Sequence, residues 1–189
     1  MLNSESDVLN LIRKDKEMME MIRVVASLQL PDWWICAGFV RTKVWDTLHQ
    51  FTEKTPMSDI DVIYFDSDKT SEHVEKEWEQ KLIEIQPNTP WSVKNQARMH
   101  VINGLPPYQS SEDAISKFPE TATALGVKLN EEGELQLTSP CGLDDLLNLA
   151  IKPTPYFLEN KSLHKIYQKR MNEKCWKSKW PLITVDPLS

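Results

Sequence analysis

Two aspartates one residue apart, Asp59 and Asp61 in "MSDIDVIYFD", stand at the mouth of an apolar, β-branched run. In a strand, residues i and i+2 project from the same face. The two carboxylates therefore lie side by side, while Ile60 and Val62 turn the other way into packing. Carboxylates that close repel unless a cation sits between them. Hard oxygen donors at this spacing suit Mg²⁺ (or Mn²⁺), which is held by one or two carboxylates with phosphates and waters completing its shell. The plainer alternative is a solvated strand end, with Ser58 or Asp59 capping the turn from "EKTPM". A D-x-D triplet alone does not decide between the two.

The segment upstream sharpens the choice. "WWICAG" is short, aromatic and β-branched before Gly38 and reads as a buried strand ending in a tight turn. "FVRTKVWDTLHQF" then returns to helical spacing through Val40, Val44, Leu48 and Phe51. A glycine at that junction lets a phosphate approach the free N–H groups of the helix start, and Arg41 in the first turn can clamp the same phosphate.

The remaining elements follow from pattern. "SESDVLNLIRKDKEMMEMIRVVASL" predicts one amphipathic helix of several turns, broken by Pro31 and Asp32. "TSEHVEKEWEQKLIEIQ" predicts a surface helix with Val74, Trp78 and Leu82 inward, "WSVKNQARMHVIN" a third strand, and "VKLNEEGELQL" a hairpin turning at "NEEG". From "CGLDDLLNLAIKPTP" the pattern is helical again, Pro153 and Pro155 mark a bend, and "SLHKIYQKRMNEKCW" is a last helix before the extended "WPLITVDPL". Trp176 and Trp180, four apart, read more readily as a helix face docked on the core than as a stacking platform for a base. A boundary near Pro140 divides a head with its N-terminal helix, 1–140, from a helical extension, 141–189.

At 189 residues, 40% apolar and 26% charged, the chain has room and composition for one packed domain with an appendage. No apolar run is long enough for a bilayer, and acids stand where a signal peptide would be basic, so the expected location is the cytoplasm with no membrane partner. Cys36, Cys141 and Cys175 are too widely spaced for a zinc site and are expected to be reduced and mostly buried. A net charge of −6 disfavours a long nucleic-acid partner but not a nucleotide carried with a cation.

"AGFVRTKVWD" followed by "SDIDVIYFD" resembles the head domain of the DNA polymerase β-like nucleotidyltransferase superfamily, closest to the heads of CCA-adding enzymes and bacterial poly(A) polymerases. With "VKNQARMH", "GLDDLLNLAIKPTP" and "KCWKSKWPLI", the stretch from Trp33 to Ile183 is similar to short bacterial nucleotidyltransferases of unassigned substrate. The resemblance implies an α/β (α+β) head with a mixed sheet flanked by helices and a helical C-terminal extension. By position it implies Asp59 and Asp61 as catalytic metal ligands for Mg²⁺, with Ala37, Gly38, Arg41 and Ser58 at the triphosphate of a nucleoside triphosphate such as ATP. Lys94 and Arg98 are implied as further phosphate contacts. The polar run from Lys94 to His100 otherwise suits either a cleft face or a charged edge strand, and the resemblance favours the cleft.

The implied reaction moves an NMP from an NTP to a hydroxyl acceptor and releases pyrophosphate. This chain departs from the family pattern at Ala37, where a glycine is usual, at Thr42, where an aspartate is usual, and in "WSVKNQARMHVIN", which offers no third carboxylate. The stretch after Pro140 is short for a tRNA clamp, so a small molecule or protein is the expected acceptor. A non-catalytic nucleotide-binding or protein-interaction module is the alternative, and a truncated tRNA 3′-end nucleotidyltransferase a second one.

Overall fold

The computed structural model describes residues 2–186 and 188; Met1, Ser189 and Pro187, the last of these in the expected extended tail, lie outside the described residues. In order, the elements are α1 (Glu5–Lys14), α2 (Lys16–Ser27), β1 (Trp34–Cys36), α3 (Gly38–Leu48), β2 (Ile60–Tyr64), α4 (Glu72–Ile85), β3 (Trp91–Asn95), α5 (Gln96–Asn103), α6 (Ser111–Ser116), β4 (Gly126–Leu129), β5 (Leu135–Thr138), α7 (Asp144–Leu147), β6 (Ala150–Ile151), α8 (Pro155–Glu159), α9 (His164–Lys174), α10 (Trp176–Lys179) and β7 (Thr184–Val185).

Five strands form one mixed sheet in the order β3-β2-β1-β4-β5, with β2 and β3 parallel and the other neighbours antiparallel. Strand alternation separates its two faces. Ile35, Ile60, Val62, Tyr64, Val93 and Val127 enter the main core with the apolar sides of α1, α2 and α3. Trp34, Cys36 and Ile63 face the other way and pack with Ile115 and Ala124. The C-terminal segment joins the main core through Leu146, Ile151, Trp176, Trp180 and Ile183. At roughly 2 kcal/mol per large buried apolar side chain, that docking holds the segment firmly on the sheet domain.

Three expectations about elements are corrected. The single N-terminal helix is two, because Asp15 (φ −88°, ψ 102°) leaves helical geometry and N-caps α2 by accepting from the Met18 N–H at 3.3 Å. Burial alone would raise the Asp15 carboxyl, but hydrogen bonds from Lys43, Lys54 and that N–H hold it at about 2. The third strand stops at Asn95, whose side chain accepts from the Ala97 N–H at 3.0 Å and starts α5. The apolar run around Ala150 is not helical beyond Leu147: Leu149 turns the chain at φ 56°, and Ala150–Ile151 pairs in parallel with Thr184–Val185. Among the thiols, Cys36 is buried as expected, whereas Cys175 is exposed.

The turn from β1 into α3 carries backbone strain. Ala37 sits at φ 52°, ψ −111°, a conformation natural to glycine and costly for a residue with a Cβ. Ala37→Gly is therefore expected to raise stability by about 1 kcal/mol, the relieved strain exceeding the extra chain entropy of glycine. A urea midpoint that shifts downward would contradict this.

Candidate active site

Asp59 is exposed just before β2, and Asp61 is half-buried on the β2 face opposite Ile60 and Val62. Burial and the neighbouring charge of Asp59 push the Asp61 carboxyl up to about 6, against the opposing pull of Lys174, the Ser92 hydroxyl and Arg170. Ser92, not an acid, is the register partner of Asp61 on β3. The Ser58 hydroxyl donates to Asp59 Oδ1 at 3.2 Å. Among the described residues no group of three or more His, Cys, Asp or Glu side chains could enclose a metal. The donor set is a carboxylate pair.

The strained turn at Ala37 delivers α3 to the same place. No side chain caps this helix, and its first bond runs from the Arg41 N–H to the Ala37 carbonyl at 3.1 Å, so the amides of residues 38–40 precede the helical ladder. No acid occupies the first turn to compensate their partial positive charge. A methyl group on Gly38 would lie 3.5 Å from Arg41 Nη2, in ordinary contact, so the fold itself does not demand this glycine. What the missing methyl leaves open is the approach to the guanidinium.

Arg41 is held in a way the sequence did not suggest. Its guanidinium carbon lies 5.5, 5.1 and 5.3 Å from the ring centres of Trp45, Trp176 and Trp180, so three indoles wall it in. Desolvation lowers its pKa to about 10, opposed by the charges of Glu120, Asp59 and Asp61 and reinforced by Arg170. The buried Nε has no hydrogen-bond partner among the described residues. Apart from a long hydrogen bond from Nη2 to the Thr42 hydroxyl at 3.4 Å, a cation fixed by aromatic faces rather than by a carboxylate keeps its donors for an anion. Trp176 and Trp180 are therefore both core and site, with Trp180 Nε1–H donating to Asp46 Oδ1 at 2.8 Å.

These features line one cavity of about 420 Å³ that contains Ala37, Gly38, Arg41, Ser58, Asp59, Asp61 and Lys94 together. Arg98 is not among them. Because the chain turns helical at Asn95, Arg98 swings to Glu75 and forms a two-pronged pair with it, Nε–Oε1 3.0 Å and Nη2–Oε2 2.8 Å. The fully buried Glu75 also sits 3.5 Å from Lys94 Nζ. Lys94 is thus steadied at the cavity edge, while Gln96, Met99 and Asn103, spaced i, i+3, i+7 on α5, form its wall. The C-terminal segment adds three cations that sequence reasoning missed: Arg170, Lys174 and Lys179. The i, i+4 spacing of Arg170 and Lys174 on the last helix was the available signal.

The cavity therefore combines five cationic side chains with two acids. Mixed signs at one uncapped helix end suit a polyphosphate whose charge is divided between protein cations and a metal ion held by the acid pair.

Comparison with known proteins agrees with this fold. A solved NMR structure described as revealing a CCA-adding enzyme head domain superposes with a TM-score of 0.87 at 38% identity, over 98% of this chain and 97% of that one. The structure of a CCA-adding enzyme in its apo form I matches with a TM-score of 0.57 at 13% identity, over 97% of this chain and 43% of that one. The Thermotoga maritima CCA-adding enzyme complexed with tRNA matches at 0.52 and 14% identity, over 95% and 42%. This chain thus spans less than half the length of those two enzymes, and the two likenesses speak to fold alone. No curated protein shows significant similarity to it. The profile of a family described as nucleotidyltransferase matches residues 23–185, and with the head-domain match over nearly the whole length it makes this chain a member of that family, within the polymerase β-like superfamily and with the fold of a CCA-adding enzyme head.

Proposed function

We propose that the protein transfers the nucleotidyl group of a nucleoside triphosphate to a hydroxyl acceptor with release of pyrophosphate, in a reaction dependent on Mg²⁺ or Mn²⁺. The observation that carries the reading is the meeting, in one cavity, of the acid pair Asp59/Asp61 with Arg41, Lys94, Arg170, Lys174 and Lys179. Family membership supports it. The donor set fits a magnesium ion held by two carboxylates and completed by phosphates and water, and does not fit an all-protein cage. A cation held there by Asp59 and Asp61 would supply charge neutralisation for the negative charge that builds up on the leaving pyrophosphate.

The chain's own residues bind and orient. Arg41 and the amides of residues 38–40 hold phosphate oxygens, Lys174 and Arg170 face the acid pair from the C-terminal segment, and Lys94 and Lys179 close the sides. The acceptor oxygen forms a bond to the α-phosphorus, the bond to the β-phosphate bridging oxygen breaks, and the hydroxyl proton leaves to water. A small molecule or a protein is the proposed acceptor, in preference to a tRNA 3′ end.

Titration of ATP, CTP, GTP and UTP, each with and without Mg²⁺, tests the reading when coupled to detection of pyrophosphate. Metal-dependent binding that shifts the amides of Gly38, Arg41 and Asp61 is expected. Binding that ignores the metal and both aspartates would overturn it. Ser92, not an acid, beside Asp61 favours a second reading as a nucleotide-binding module without turnover. That reading predicts the same shifts with no pyrophosphate whatever acceptor is supplied.

Because Asp61 must be ionised to hold a cation, its raised pKa sets a pH dependence. Mn²⁺ affinity without nucleotide is expected to be level above pH 7 and to fall about tenfold per unit below about pH 6. Paramagnetic broadening of the Asp61 amide reads this directly, and an affinity flat from pH 5 to 8 would contradict it.

A further inference from the structure

A second cavity, of about 370 Å³, adjoins the first. The two share four wall residues, Asn103, Phe118, Pro119 and Arg170, so they are neighbouring compartments of one cleft. Their chemistry differs. The first is charged; the second is lined mainly by Ile102, Leu105, Tyr108, Phe157, Leu163 and Ile166. Its two cations are already engaged, Lys117 by Asp113 at 2.7 and 2.8 Å and Arg170 by the buried Glu120 at 2.6 and 3.2 Å. No acid lines it. At its rim Ile102 and Ile166, 64% and 46% exposed, carry the apolar wall out to the surface, where an apolar body could cover both.

We propose that this compartment is the acceptor subsite and takes a small molecule with an aliphatic or aromatic body bearing one hydroxyl. The proposal rests on the transfer reading above and adds the substrate class to it. Both cations of the second compartment are paired to carboxylates, whereas the first adds Arg41, Lys174 and Lys179, for which no carboxylate partner stands among the described residues, so the triphosphate belongs in the first. A polyamine or amino sugar would find no free carboxylate there. A nucleobase would lose water from several donors and acceptors against an apolar wall, where the Tyr108 hydroxyl already accepts from Asn103 Nδ2 at 3.1 Å. An apolar body loses nothing polar on entry and covers Ile102 and Ile166. Its hydroxyl, directed past Asn103 and Phe118, points into the compartment of Asp61. The volume is in the range of a small-molecule site.

The test is an amide-shift titration of the full chain, ¹⁵N-labelled and with Mg²⁺ and a non-hydrolysable ATP analogue present, using 3-phenylpropan-1-ol as the apolar alcohol and glycerol as the polar one. The phenylpropanol is expected to shift Ile102, Leu105 and Ile166, and glycerol to leave them in place. Ile102→Glu and, separately, Ile166→Glu are expected to weaken the phenylpropanol about tenfold or more, since each sets a charge against the apolar body. Both positions are exposed, so neither variant threatens the fold.

Phenylpropanol shifts that lie elsewhere, or that survive both variants, overturn the proposal. So does an ATP analogue that by itself shifts the Ile102 and Ile166 amides and excludes the alcohol, since the base then occupies the compartment. The nucleotide's own shifts at Gly38 and Asp61 keep the two readings apart. Their presence without alcohol binding sinks the acceptor subsite alone. Their absence sinks the transfer reading, and with it the acceptor role, even if the alcohol binds.

Discussion

Asp61→Asn is expected to lower nucleotidyl transfer on the order of 10³-fold or more while making the protein more stable at neutral pH. The activity loss follows from removing one of the two carboxylates that line the cavity among the described residues. The stability gain follows from the direction of the pKa shift. Burial and the charge of Asp59 raise the folded-state carboxyl from 3.8 to about 6, so the folded protein holds this proton more tightly than the unfolded chain. Ionised Asp61 is then a penalty on folding that is absent below the unfolded value, grows as pH rises from about 4 to about 6, and stays constant above. Its size is up to about 3 kcal/mol for a shift of this order. The amide of asparagine keeps the shape and removes the charge. At pH 7 the variant should unfold at higher urea than the native chain, and at pH 4 the difference should vanish. Equal midpoints at pH 7 would mean that Asp61 is less desolvated than its setting on β2 implies, and undiminished transfer would remove Asp61 from the reaction.

That trade between stability and charge is also why this part of the site could be read from sequence. A D-x-D pair opening an apolar strand breaks the local pattern, and so does a strand running through Gly38 into a helix with Arg41. The individual strands followed from short β-branched runs and turn residues, whose causes are local; their order in the sheet, β3-β2-β1-β4-β5, rests on long-range pairing that no local run encodes. Where the reading failed, a cause lay outside the pattern. Asp15 interrupts a continuous amphipathic stripe because one side chain can cap a new helix while Lys43 and Lys54 neutralise it, and those lysines come from distant positions. Asn95 ends a strand that the β-branched content would have continued, because its amide caps α5 and also bonds the carbonyls of Asp66 and Lys69 at 2.7 and 3.0 Å. Arg98 then follows helical rather than strand geometry and leaves the cavity for Glu75. The contribution of α9 and α10 was hidden for the same reason: beyond the i, i+4 spacing of Arg170 and Lys174, nothing near these residues or Lys179 in the chain signals that a fold-spanning contact returns them to Asp61.

Trp180→Ala is expected to cost about 3–5 kcal/mol of stability and to weaken nucleotide binding through Arg41. The indole is 1% exposed and meets Trp45 edge-to-face at 5.2 Å. Its Nε1–H donates to Asp46 Oδ1, a carboxylate that also accepts from the Thr55 N–H at 2.8 Å and from the Thr55 hydroxyl at 2.7 Å. Asp46 thus ties three pieces together: α3, the loop leading to Asp59, and the C-terminal segment. Removing the indole opens a cavity, leaves Asp46 one donor short and takes away one of three walls around the Arg41 guanidinium. Trp180→Phe separates these effects. It keeps an aromatic face toward Arg41 and loses the N–H with part of the ring volume, so it is expected to cost about 1–3 kcal/mol, with a smaller loss of nucleotide affinity. Urea unfolding at unchanged slope, paired with ATP titration well below each midpoint, measures both quantities. If the alanine variant loses stability but binds ATP as the native chain does, Trp45 and Trp176 suffice to place Arg41. If both quantities fall together, and less in phenylalanine than in alanine, the extension that closes the core is also what aims the phosphate-binding cation.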